Sequence, residues 1–237
     1  MQIQFEICTR TNVCLAHEIC SESTALKAFL FDLDGTLGNT VPLCVAAFRE
    51  ALEPLVGRTL TDGEIIATFG PSEEGTIAAF APQHFDEGMA RYLKAYTRLH
   101  DHWPNPFSGI RELLIELKQR GTFIGLVTGK GPLSLAVTLQ RYDFESLFDA
   151  VKAGQPEKAV KDICIDELVT EYALERQSTL YVGDTPYDMR VSRACGLKVA
   201  AAAWAPAADA AKLRACSPDY LFETVQALAD LVRAGQL

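Results

Sequence analysis

The stretch Phe29-Leu30-Phe31-Asp32-Leu33-Asp34-Gly35-Thr36-Leu37 constrains this chain more than any other. An apolar run that begins at Ala28 ends abruptly in two carboxylates spaced i, i+2, then a glycine and a hydroxyl. A short apolar run without polar alternation suits a central strand of a parallel sheet, covered by helices on both faces. Ligands of such sheets bind outside the carboxyl ends of the strands, where Asp32 and Asp34 fall. Two acids that close repel each other unless a cation or a shared proton intervenes. An Asp-Gly turn after an ordinary strand uses the same residues, so the rest of the chain decides between turn and site.

Beyond residue 102 the pattern alternates. A helix over Ser108 to Gln119 leads into a strand, Thr122 to Val127, that ends in Thr128-Gly129-Lys130-Gly131. A helix over Leu133 to Tyr142 and a short strand near Phe148 to Ala153 follow. Next come a helix over Asp162 to Leu174, a strand Thr179 to Gly183 ending in Asp184, and a helix over Asp188 to Cys195. Lys198 to Trp204 and Tyr220 to Phe222 are further strands, and a last helix covers Thr224 to Ala234. Strands alternating with helices predict an α/β fold with a doubly wound parallel sheet.

Residues 38–102 have no strand-like run. Val41, Val45, Phe48, Leu52 and Leu55 recur at a helical period, with Thr40 as N-cap and Pro42 in the first turn. Thr61 and Glu64 form a capping box, and further helical pieces cover Glu73 to Phe80 and Phe85 to His100. The domain reading is therefore a core of 27–37 and 103–237 with an inserted helical block of 38–102. Residues 1–26 read as an extension with a weak hairpin pattern around Thr9 to Asn12. Cys8, Cys14 and Cys20 with His17 lack the tight C-x-x-C pair of a zinc ribbon and read as buried or idle thiols.

Charge and cysteine usage narrow the partners. With 22 Lys+Arg against 31 Asp+Glu the net charge is -9, which disfavours a broad nucleic-acid or acidic-membrane surface. An anionic substrate then needs local positive charge from a metal ion or placed lysines. Seven dispersed cysteines, with neither a secretory pattern nor an apolar run of spanning length, predict reduced thiols in a cytoplasmic protein.

Several strand ends carry groups suited to phosphate and metal chemistry. The first has Asp32 and Asp34. The second has the Thr128 hydroxyl and the Gly129 backbone, which can hold phosphoryl oxygens. The fourth has Asp184 and Asp188, which can place carboxylate oxygens on a hard cation such as Mg2+. Lys158 and Lys161, both ahead of the Asp162 helix, supply counter-charge.

With these residues in place, the chain resembles the haloacid-dehalogenase-like phosphohydrolase superfamily, over residues of about 28 to 235. Its Asp-x-Asp-Gly-Thr motif stands as Asp32 to Thr36, its strand-end hydroxyl as Thr128, its lysine ahead of a helix as Lys161, and its Gly-Asp-x-x-x-Asp motif as Gly183 to Asp188. The resemblance implies an aspartyl-phosphate formed on Asp32 and proton transfer by Asp34. Thr128, Gly129 and Lys161 would bind the phosphoryl group. Mg2+ would be held by Asp32, the Asp34 backbone carbonyl, Asp184 and Asp188. Lys161 is preferred to Lys158 by its distance to the helix and to Asp184, although Asp162 stands where the family usually has proline; Asn39 stands where it often has an acid. The layout is similar to the phosphoglycolate phosphatase-like branch with its α-helical cap, which implies a small soluble phosphomonoester as partner and a monomer or homodimer. Arg49, Arg58 and Lys94 are charges that could meet an anionic leaving group, or ordinary solvated helix charges. A phosphosugar mutase and a non-catalytic phosphate-ligand-binding protein are the alternatives.

Overall fold

The computed structural model describes residues 26–237. The expected extension of residues 1–26, with its hairpin and its three cysteines, thus lies almost wholly outside the described residues. The remainder is a six-stranded, entirely parallel sheet in the order β3-β2-β1-β4-β5-β6. The strands are β1 (Ala28–Phe31), β2 (Phe123–Val127), β3 (Ala150–Lys152), β4 (Thr179–Gly183), β5 (Lys198–Ala202) and β6 (Tyr220–Phe222).

The apolar run of β1 is explained by its central place. Phe29 and Phe31 pack into the core under α5 (Ile110–Gln119), α6 (Pro132–Tyr142) and α10 (Val225–Arg233), while Leu30 packs on the opposite face with Val127, Tyr181 and α7 (Lys161–Glu171). Both faces are covered, so neither tolerates a polar alternation. The chain runs outward from β1 through β2 to β3, then returns to lay β4 on the other side of β1. That reversal opens a crevice at the carboxyl ends of β1 and β4, the usual ligand position in doubly wound sheets.

Between β1 and α5 lie α1 (Val41–Val56), α2 (Asp62–Ile66), α3 (Glu73–Phe80) and α4 (Phe85–Leu99). They have their own apolar cluster, in which the Phe48 and Tyr92 rings stack at 4.3 Å. The Thr61 and Glu64 capping box is formed as expected. Thr40 is at the N-cap of α1, but its hydroxyl makes no cap hydrogen bond and is given to Asp34 instead. A helix start and a helix end also differ from the sequence reading. The helix placed from Asp188 begins at Pro186 in α8 (Pro186–Ala194), because Thr185 caps it in a box with Asp188. The helix placed to Leu174 stops at Glu171, where Ala173 turns left-handed. The remaining helix is α9 (Ala210–Ala215). Among the described residues no helix is long and apolar enough to cross a membrane.

Candidate active site

The loop after β1 is built to bring its acids against those of β4. Gly35 has φ +87°, a left-handed conformation that favours glycine, and a Cβ there would lie 2.2 Å from Asp184 Oδ2. Only glycine lets the two loops approach this closely. Thr36 donates its hydroxyl to Asp184 Oδ1 at 3.1 Å, and its carbonyl accepts from Trp204 Nε1 at 2.9 Å.

Lys161, the first residue of α7, reaches back into this crevice. Its ammonium lies 2.9 Å from Asp32 Oδ1 and 2.6 Å from Asp188 Oδ1. Lys158, the other lysine of the segment, is exposed. Burial opposes the charge on Lys161, but the attraction of Asp188 and Asp32 prevails and holds its pKa well above the usual lysine value. Asp188 is fully buried and engages both oxygens: Oδ1 meets Lys161 and the Tyr181 hydroxyl, and Oδ2 accepts from the Thr185 backbone and hydroxyl.

Asp32, Asp184 and Asp188 place carboxylate oxygens within 4.8 Å of one another. Burial raises the Asp32 carboxyl to about 7, with Asp188 and Asp34 adding to the rise against the pull of Lys161. Burial, with Asp32 and Asp188 adding to it, pushes Asp184 well above the carboxylate range. Ionising all three carboxylates beside one ammonium would leave negative charge uncompensated, and among the described residues Asp184 has only the Thr36 hydroxyl for a side-chain partner. This donor set of hard oxygens fits a divalent cation such as Mg2+.

Thr128 is buried at the end of β2 and accepts from the Lys130 backbone at 3.2 Å, which leaves its hydroxyl proton free to donate. Beside it, Gly129 faces the helical block: a Cβ there would lie 3.2 Å from the Gly70 carbonyl. A cavity of about 420 Å³ joins Asp32, Asp34, Thr128, Gly129, Lys161 and Asp184, with Val41, Phe48, Phe69 and Tyr92 of the helical block among its apolar walls. Arg49, Arg58 and Lys94 are not part of it. Arg49 pairs with Glu53 and Asp62, Arg58 pairs with Glu64, and Lys94 is exposed.

Two cavity groups, Lys130 and Glu73, and Thr40 beside them were not assigned to the site from sequence. Thr40 donates to Asp34 Oδ1 at 2.5 Å, Lys130 pairs with the same oxygen at 3.3 Å, and buried Glu73 accepts from the Gly131 N–H at 2.5 Å. The lysine directly after Thr128-Gly129 was the one available signal, since a residue there must lie near the strand end.

Residues 29–202 match the haloacid dehalogenase-like hydrolase family. A phosphoglycolate phosphatase of Synechococcus elongatus is 31% identical over 218 residues, covering 88% of this chain and 100% of the relative. A pyrophosphatase PpaX of Halalkalibacterium halodurans is 25% identical over 209 residues, covering 87% and 97%. Among solved structures, a haloacid dehalogenase-like family hydrolase from Streptococcus pneumoniae superposes with a TM-score of 0.70 at 25% identity, covering 88% and 99%.

Proposed function

Because the chain belongs to the haloacid dehalogenase-like hydrolase family and is a phosphohydrolase of its phosphoglycolate phosphatase-like branch, we propose that it cleaves a small phosphomonoester through an aspartyl-phosphate on Asp32. The observation that carries this reading is the Lys161 ammonium seated between Asp32 and Asp188 at the sheet's crevice.

In the first step an Asp32 oxygen attacks phosphorus, the ester P–O bond breaks, and Asp34 gives the departing alkoxide its proton. In the second, Asp34 takes a proton from water, the water oxygen attacks the same phosphorus, and the acyl-phosphate bond breaks to release inorganic phosphate and restore Asp32. Lys161, the Thr128 hydroxyl and the Gly129 N–H hold the phosphoryl oxygens as negative charge moves between them. Asp188 keeps Lys161 in place. Mg2+, held by Asp32, Asp184 and the Asp34 carbonyl with Asp188 beside them, would offset the repulsion between the nucleophile and the phosphate dianion. The helical block of 38–102 acts as a cap that excludes water and shapes the leaving-group compartment.

The test is phosphate release from a panel that includes phosphoglycolate, inorganic pyrophosphate and sugar phosphates, with Mg2+ and with chelator. Asp32→Asn should lower turnover by about 10⁴-fold or more, and chelator should abolish it. Turnover that survives either treatment would refute the mechanism. Transfer of phosphate to a hexose phosphate in place of water would make the enzyme a mutase.

A further inference from the structure

The mechanism above leaves two buried charges of the cavity, Lys130 and Glu73, without a role. The Lys130 side chain is 2% exposed, and its ammonium lies 3.3 Å from Asp34 Oδ1, 3.2 Å from Cys44 Sγ, 3.9 Å from Glu73 Oε1 and 4.5 Å from the centroid of the Tyr96 ring. Burial opposes the ammonium, and Asp34 leads the attractions that together outweigh it, so its pKa stands well above the usual value. Burial also pushes the Cys44 thiol up to about 12, which keeps it neutral. Lys130 is thus enclosed by two carboxylates and an aromatic face and withdrawn from solvent.

The distribution of donors on Asp34 gives this cation a purpose. Oδ1 receives Thr40 Oγ1 at 2.5 Å, Lys130 Nζ at 3.3 Å and Cys44 Sγ at 3.8 Å. Oδ2 has no protein hydrogen bond among the described residues, and Asp34 lines the cavity. Fixing one oxygen of a carboxylate fixes the plane in which the other is presented. Glu73 secures the lysine from its far side, itself held by the Gly131 N–H and the Ser134 hydroxyl at the N-terminus of α6, where a negative charge is favoured.

We propose that Lys130 is the positioning residue for Asp34: it holds Oδ1 so that Oδ2 transfers the proton, and Glu73 holds Lys130. This rests on the phosphomonoesterase reading. A proton donor matters for an alkoxide leaving group and hardly at all for p-nitrophenolate, which departs unaided. That difference separates positioning of the donor from a general structural role.

The experiment measures kcat/KM, which reports the steps up to leaving-group departure, for wild type, Lys130→Met and Glu73→Gln. The probes are p-nitrophenyl phosphate, glycerol phosphate and phosphoglycolate. Lys130→Met should lose about 100-fold on the alkyl esters and less than about threefold on the aryl ester. Glu73→Gln should show the same selectivity with a smaller loss, and it carries the test if Lys130→Met does not fold. An equal loss on aryl and alkyl esters, or no loss on any, overturns the proposal. A loss confined to phosphoglycolate also overturns it, and makes Lys130 a ligand of the substrate carboxylate. A wild type that hydrolyses none of the three overturns the phosphomonoesterase reading, and this proposal falls with it.

Discussion

Lys161 and Lys130 are both buried and both paired with acids, but they draw their partners from different parts of the molecule. Lys161 meets Asp32 and Asp188, each at the carboxyl side of a strand of one sheet. Lys130 meets Asp34 on the sheet side, and Cys44, Glu73 and Tyr96 on the helical block. The first cluster exists whenever the sheet is folded. The second exists only when the helical block is seated on it. Groups needed at every instant of catalysis are thus placed by the sheet, and groups that tune proton transfer are placed by the seam between two layers.

The comparison is broken most severely at Lys161. Lys161→Met should lower phosphate release by about 10³-fold, by removing a cation from the nucleophile and leaving Asp32 and Asp188 to repel each other. Exposed Lys158→Ala should stay within about twofold of wild type. Reversal of these two results would move the phosphate-binding role to Lys158.

A lesser effect is expected at Phe48, whose ring is 2% exposed and stacks on Tyr92 inside the helical block. Phe48→Ala should cost about 3–4 kcal/mol of stability in urea unfolding. A cost below about 1 kcal/mol would show that the block's own core does not secure the seam.

The smallest effect concerns His100 at the end of α4, which contacts the Thr138 hydroxyl of α6 at 3.2 Å. Burial holds its imidazole below the ordinary value of 6.5. The unfolded chain therefore binds a proton that the native state refuses, so stability is full above the unfolded pKa and declines as pH falls through it. His100→Gln should flatten part of the drop in Tm between about pH 7.5 and about pH 5.5. An unchanged slope would remove His100 as its source.

The same division explains what could be read from sequence. The parallel α/β fold was legible because the central strands are short apolar runs ending in a polar or glycine-rich turn. Asp32, Asp34, Thr128 and Asp184 each stand at or just beyond such an end, and Asp188 lies in the first turn of the helix that follows, so local pattern alone puts them at the carboxyl end of the sheet. Lys130 and Glu73 are harder. Glu73 opens a helix with another acid beside it, which reads as ordinary helix-start chemistry, and its contacts at Gly131 and Ser134 are 58 and 61 residues away. Thr40 had every local mark of an N-cap, yet tertiary demand from Asp34 took its hydroxyl. Local signals report where a side chain begins, and the packing of the helical block decides where it ends.

Trp204 ties these observations to something directly visible. The chain has two tryptophans. Trp103 stands at the exit of the helical block, and the Trp204 indole is joined to Asp184 by two successive hydrogen bonds through Thr36. A rearrangement of Asp184 that displaces Thr36 would alter the hydrogen bond of an indole ring whose emission responds to its surroundings. Trp204 is thus placed to report optically on events at the acidic cluster, and Trp103→Phe would isolate its signal without a label.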